Sequence, residues 1–485
     1  MATFLIGVVI LLVGGFFYGK FTEKVFGPDD RQTPAERLED GVDFVKISKW
    51  RNCLIELLNI AGTGPILGPI LGILFGPVAF LIIPIGCVLA GAVHDYIIGM
   101  ISLRNDGAQT PRLIQKYMGN KIYKIYNVFV TLMLLLVGTV FLYTPGDLIL
   151  TQLLGVKTGG ITTAVVIVYG LILLYYVIAT LFPLDAIIGK IYPIFGAVLI
   201  LSAIGVGIGM FVKGYQIDNV TFANVLGAHP DGVPLIPTFF VTVACGIVSG
   251  FHSSQCTLIS RSMCSEREGK MSFYNMMIVE GLIAMIWAAA AMGIYNKGID
   301  PALVGTPSVV GVVARDLLGS VGGAIAVIGV IVLPITSGDT ALRSLRLILA
   351  ETFNVDQVPK KNRLLFTGII FIPVVTMLVF AKINPSGFNI LWRYFSWSNQ
   401  TVAVFGFALC SVYLLVQGKK YIITLIPGTF YCFVVTSYII NAKIGFNLPL
   451  YIAYIVAGIA SIGFWFGVIR VGKAYLNKKT KRNLK

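Results

Sequence analysis

Residues 56–72 read ELLNIAGTGPILGPILG, an apolar run interrupted by Gly62, Gly64 and Pro65 and, one turn later, by Gly68 and Pro69. Proline removes a backbone donor and clashes with the preceding turn, while glycine adds freedom without filling space. The predicted result is an unwound segment with free carbonyls and amides in the middle of a helix. Lipid cannot satisfy such groups, so they must face protein or a water-filled cavity. Residues 239–262, FFVTVACGIVSGFHSSQCTLISRS, hold a second small and polar interruption at Gly246, Ser249, Gly250, His252, Ser253 and Ser254.

Composition sets the medium. Of 485 residues 56% are hydrophobic and 12% charged, against about 25% charged in soluble domains. That deficit suits a surface facing lipid. Hydropathy and Gly/Pro punctuation place about thirteen spans, near 2–18, 50–73, 78–102, 125–143, 161–182, 191–212, 236–260, 271–294, 321–345, 364–381, 388–415, 421–440 and 448–469. The expectation is therefore an all-α polytopic membrane protein; alternation with period two, the mark of a membrane barrel, is absent. The two interruptions fall in spans 2 and 7, five apart, and so run in opposite directions. Two unwound helices heading inverted five-helix halves form a transporter plan, with substrate and ions bound where helix ends and free backbone groups meet. Glycine and proline also serve plain helix packing in membranes, a reading that two breaks at matching positions weaken. The halves are predicted at 50–213 and 214–416, with a peripheral first span and loop at 1–49 and two peripheral spans and a tail at 417–485. Residues 301–319 are expected to form an outer cap.

The first apolar run follows Met1 with no basic leader, so it is expected to be a true span rather than a cleavable signal. With the N-terminus outside, 30 of the 37 Lys and Arg residues fall in cytoplasmic loops and the C-terminal tail and seven on the outer side, Lys157 and Lys382 among them. That split follows the positive-inside rule, predicts a multi-pass protein of the cell's inner membrane with a cytoplasmic C-terminus, and accounts for the net charge of +15. Membrane lipid is the expected partner of the basic tail; nucleic acid would need a basic soluble face, and none is present. The seven cysteines make no C-x-x-C pair, so neither a disulfide framework nor a zinc site is indicated.

Intramembrane ionisable residues are costly and usually functional. Glu56 precedes the break in span 2; His94 and Asp95 lie in span 3; His252 follows the break in span 7; Glu280 is central in span 8; Asp339 lies in PITSGDTALR of span 9. Thr336, Ser337, Asp339 and Thr340 gather oxygen-bearing side chains that suit Na⁺, while a lone carboxylate suits a proton. Asp339 and Arg343 are also spaced i, i+4, so a structural pair stands beside the ion site. Asp95 lies about two turns from Arg104, and a structural role there, as a cap or a pair near the cytoplasmic face, is expected. Glu280 and Glu56 are further candidates for coupling. Gly62, Thr63 and Gly64 with Ser249, Gly250, His252 and Ser253 are the predicted substrate contacts. No metal cluster beyond a Na⁺ site at Thr336, Ser337 and Asp339 is expected, and no cofactor. Ser398, Asn399, Gln400 and Thr401 form a polar run in span 11 that could line an outer vestibule or bond another helix.

Several of these segments resemble the carbon starvation protein (CstA) family: DGVDFVKISKW (40–50), IAGTGPILGPILG (60–72), LAGAVHDY (89–96), IGKIYPIFGA (188–197), VTVACGIVSGFHSSQ (241–255), VEGLIAMIWAAAA (279–291), LPITSGDTALR (333–343) and WRYFSWSNQT (392–401). The resemblance implies uptake of peptides or of pyruvate, with pyruvate relatives acting as proton symporters. It also implies the amino acid–polyamine–organocation superfamily and its leucine-transporter (LeuT) type of 5+5 inverted repeat. Two departures stand out. Many members carry a His-His pair where this chain has Ile55 and Glu56, and many read Ala-Thr-Gln-Ser-Pro after the span 7 histidine where this chain has Ser253 to Thr257.

The expected function is a secondary active transporter that imports a small carboxylate-bearing nutrient, a peptide or a pyruvate- or amino-acid-like acid, by proton- or sodium-coupled alternating access. A channel would favour a continuous polar pore over two breaks. An intramembrane enzyme would need a nucleophile–base pair or a motif such as H-E-x-x-H, which is absent. No phosphate-binding G-x-x-x-x-G-K-[ST] supports ATP-driven transport.

Overall fold

The computed structural model describes residues 1–485 except 42, 43, 157–159, 182, 183, 227, 228, 302–306, 358, 385, 484 and 485. Among the described residues every regular element is helical. Eleven helices are long and apolar enough to cross a membrane, twelve with the bent pair Lys49–Ile60 and Gly64–Phe75 taken as one span. The stretch 235–259, expected as span 7, is built of pieces each too short to pass alone: Leu235–Phe239, Phe240–Thr242, Ala244–Ile247 and Gly250–Ile259. Spans 3, 4 and 8 are Ala79–Leu103, Asn120–Leu153 and Glu266–Tyr295, and spans 10 to 12 are Lys360–Ile383, Gly387–Val416 and Ile422–Asn441. Spans 5 and 6 are Thr163–Leu181 and Leu184–Val212.

Position in the bundle follows side-chain character. Span 1 (Ala2–Phe26) and span 13 (Leu450–Asn483) expose Leu5, Phe17, Ile455 and Phe466, an apolar surface that only lipid can cover without cost. Spans 3, 8 and 11 are mostly buried. Span 4 packs along spans 9 and 11, the second half of span 2 against span 8, and the last piece of span 7 against span 3.

The two breaks have separate local causes. In span 2 the chain leaves the helix after Ile60, and Gly64–Gly72 restarts it with Pro65 in its first turn, where a missing amide hydrogen costs nothing. The halves meet at 50°. In span 7 Val243 leaves the helix and Val248 and Ser249 are extended, while His252, Ser253 and Ser254 lie in the regular helix Gly250–Ile259. The interruption thus ends at Ser249, and the polar residues 252–254 belong to the helix that follows it. Asn399 explains this: its Oδ1 accepts from Phe251 N at 2.8 Å, capping the restarted helix from span 11.

The expected outer cap is largely helical. Ser308–Thr352 joins two helices at Gly319, whose φ of 72° ends the first. That first part buries Val309, Val310, Val313 and Leu317, and its Asp316 binds Lys297 at 2.8 Å. Residues 302–306 of the cap, like Lys157, lie outside the described residues. On the face carrying most of the basic loops, Glu266 holds Arg104 at 2.7 Å and Arg31 at 3.3 Å, and Arg267 pairs with Asp30 at 2.6 Å. The Arg31 hydrogen bond holds the exposed Asp29 carboxyl well below the usual carboxylate range.

Candidate functional site: two crossed breaks and a buried acid–imidazole cluster

Spans 2 and 7 touch at their breaks, and glycine makes the approach possible. A Cβ on Gly64 would lie 2.1 Å from Cys245 Cβ, one on Gly68 2.8 Å from the Thr242 carbonyl, and one on Gly62 2.6 Å from the Phe141 ring. Backbone groups freed by the breaks find partners on other spans. Gly62 N turns back to Ile60 O at 2.8 Å, so Leu58 O loses its helical donor and instead accepts from Ser337 Oγ of span 9 at 3.0 Å. Gly246 O accepts from the Cys87 thiol of span 3 at 3.0 Å. Ser249 Oγ donates to Asn399 Oδ1 at 3.2 Å, and Ser253 Oγ to Gly250 O at 2.6 Å.

Against this crossing lies a cluster of ionisable side chains from four spans. Asp95 accepts from Nδ1 of His94 at 2.8 Å and from Nδ1 of His252 at 2.9 Å. The far side of the His252 ring faces Glu280, with Nε2 3.7 Å from Oε2. Glu56 of span 2 accepts from the Cys256 thiol at 3.1 Å. Glu56, His94, Asp95, His252 and Glu280 are all fully buried. Both Glu280 oxygens, Glu56 Oε2, His252 Nε2, Asn59 Oδ1, Thr63 Oγ1 and both polar atoms of Gln255 lack a hydrogen-bond partner. So many orphaned polar atoms around one crossing mark a place built to hold something polar. The expected Asp95–Arg104 pair is not formed: Arg104 is committed to Glu266, and a buried carboxylate flanked by two imidazoles has no need of it.

A second centre lies on span 9. Asp339 Oδ2 accepts from the Tyr175 hydroxyl of span 5 at 2.9 Å, while its Oδ1 is buried without a partner. The pair with Arg343 is absent among the described ion pairs; Arg343 donates to the Ala179 carbonyl. Thr336 donates to Leu333 O at 2.8 Å and Thr340 to Ser337 O at 3.0 Å, both within their own helix. Ser337, through Leu58 O, joins this centre to the broken half of span 2.

The structure thus brings Glu56, Asp95, His252 and Glu280 together and sets Asp339 apart beside Tyr175. His252, expected among the substrate contacts, points at Asp95 and Glu280. Tyr175 and Tyr176 were not singled out from sequence, though a tyrosine pair in the aliphatic run LILLYYVIAT (171–180) is a usable signal. Tyr176 links span 9 to span 4, its hydroxyl lying 2.9 Å from Pro334 O and 2.8 Å from Phe141 O, either of which can accept its single hydrogen. Lys382, expected in an outer loop, is buried and pairs with Asp147 of span 4 at 2.9 Å, with its ammonium 4.1 Å from the Tyr143 ring. Among the described residues no group of three or more His, Cys, Asp or Glu is placed to hold a metal.

Comparison with known proteins bears on this arrangement. The family described as carbon starvation protein CstA matches at residues 1–213, 192–315 and 298–438. An uncharacterised membrane protein of Haemophilus influenzae is 41% identical over 341 residues, covering 61% of this chain and 92% of that protein. The peptide transporter CstA of Bacillus subtilis is 25% identical over 529 residues, covering 88% of each. In three dimensions a variant of the manganese transporter of Eremococcus coleocola superposes with a TM-score of 0.58 at 14% identity, covering 90% of this chain and 99% of that one. That likeness shows the fold, the inverted repeat of the leucine-transporter type.

Proposed function

The chain belongs to the carbon starvation protein CstA family, and from that premise we propose that this membrane transporter imports a small carboxylate-bearing solute, a peptide or a pyruvate-like acid, by proton-coupled alternating access. The observation that carries the reading is the set of His252, Asp95 and Glu280, buried together where the two broken spans cross. With its Nδ1 hydrogen directed at Asp95, a neutral His252 keeps a lone pair at Nε2. A proton taken up there points at Glu280. The cluster can therefore hold one exchangeable proton among three residues, on elements that alternating access must move relative to one another. The half-helix beginning at Gly64 and the one beginning at Gly250 direct their amides and positive dipole ends toward the crossing, which suits an anionic group.

Sodium is the second reading, favoured by the oxygen set of span 9. Asp339 Oδ1 has no partner and Ser337 sits on Leu58 O, so the joint between spans 2 and 9 offers hard donors of the kind such a cation takes. The excess of Lys and Arg in one set of loops supports a cytoplasmic C-terminus and an N-terminus outside the inner membrane. Transport rather than catalysis accords with the naming of the Bacillus subtilis relative. Uptake in sealed vesicles tests the assignment: saturable uptake abolished by an ionophore supports a coupled transporter. Flux insensitive to ionophore would instead indicate a channel, and product formation in detergent an enzyme.

A further inference from the structure

We propose that the chain carries a second, outer carboxylate-binding subsite, built on the first turns of span 11 and distinct from the crossing of the breaks. A cavity of about 730 Å³ opens above the Gly68–Thr242 contact, with Thr242 in its wall. That volume lies within the range of small-molecule sites. Thr242 is only three residues from Cys245, which packs on Gly64, so the cavity floor lies about one helical turn from the crossing.

Span 11 supplies the recognition. Asn389, Arg393 and Ser396 recur at intervals of four and three, so they stack on one helix face toward the cavity, joined by Trp392. Lys443, just past the end of span 12, also lines the cavity. Among the described ion pairs and hydrogen bonds neither Arg393 nor Lys443 is engaged, and the acidic group in the lining is Asp231, whose backbone N–H donates to His229 Nδ1 at 3.1 Å. Trp392 and Ser396 are 5% and 2% exposed, yet Trp392 Nε1 and Ser396 Oγ have no hydrogen-bond partner. Two cations and two buried polar groups able to donate therefore line a cavity that holds one acidic side chain, which leaves the lining net positive. A guanidinium with flanking donors is a carboxylate receptor. The same span continues to Asn399 and Gln400, which bind Ser249 and the Phe240 carbonyl. An anion held at Arg393 thus sits on the element that caps the restarted helix of span 7.

The subsite rests on the reading of the substrate as a carboxylate, and the test separates the two. Initial uptake of pyruvate and of dialanine is measured in right-side-out vesicles, with the corresponding neutral amides as competitors. Arg393→Gln is expected to raise the KM of a transported acid roughly tenfold, the scale of one lost charge-assisted contact. Its maximal rate stays within about twofold and the preference for acid over amide falls. Arg393→Lys restores most of the loss, and Lys443→Gln produces a smaller shift in the same direction. An unchanged KM in Arg393→Gln, with wild-type uptake intact, overturns the subsite alone. Wild-type protein that transports neither acid overturns the functional reading and the subsite with it.

Discussion

His252 Nδ1 lies 2.9 Å from Asp95 Oδ2, a contact between residues 157 positions apart that ties the restarted half of span 7 to span 3. Its neighbours make it more than a tether. His94 donates to the other Asp95 oxygen at 2.8 Å, and Glu280 stands 3.7 Å from His252 Nε2 with neither carboxyl oxygen hydrogen-bonded. Charge on His252 therefore changes what holds spans 3, 7 and 8 together, which is what a coupling residue must do.

His252→Gln keeps a donor for Asp95 but cannot carry a proton. Accumulation driven by a proton gradient is expected to drop about tenfold or more, on the scale of a lost charge-assisted bond. Exchange of labelled for unlabelled substrate at equal concentrations stays close to wild type, because exchange needs no net proton movement. The pH profile of uptake flattens in the variant. Loss of exchange together with accumulation would show that His252 holds substrate or fold instead.

Asp339 provides a separate test. Asp339→Asn, which retains size and loses charge, is expected to reduce accumulation while leaving substrate binding measurable by thermal shift. Tyr175→Phe removes one hydrogen bond from Asp339 and should cost roughly two- to tenfold in rate. Since Arg343 engages the Ala179 carbonyl, the double variant Asp339→Asn/Arg343→Gln should not recover expression or uptake. Recovery would reveal a structural ion pair.

Gly64→Ala places a methyl group 2.1 Å from Cys245 Cβ. Overpacking of this kind costs about 1–3 kcal/mol. The expected readouts are a lower melting temperature in detergent and loss of uptake, with partial recovery in Gly64→Ala/Cys245→Gly. A fully active Gly64→Ala protein would mean that the two breaks do not pack as described.

What the sequence made legible, and what it hid, follows from the range of the forces involved. The spans were readable because burial in lipid acts on each helix separately, and the span 2 break because Pro65 and Pro69 act on their own backbone. The span 7 break was carried too far toward the C-terminus because its true limit there is set by Asn399, roughly 150 residues away. Asp95 was matched to Arg104 by spacing along one helix, whereas a buried carboxylate takes its partners from whichever span faces it. Lys382 illustrates the same point. Its place at a span end suggests a loop, yet Asp147, Tyr143 and Tyr169 draw it into the bundle. Tyr175 passed unnoticed because a hydroxyl in an aliphatic span acquires meaning only from Asp339 opposite.

Coupling itself is tested most directly by proteoliposomes loaded at equal substrate concentration inside and out and given an inward proton gradient. Labelled pyruvate or dialanine should accumulate above its external concentration, and a protonophore should abolish the excess. In His252→Gln vesicles the label should only equilibrate. Accumulation that persists with the protonophore present, or wild-type vesicles that never exceed equilibrium under the gradient, would contradict the account.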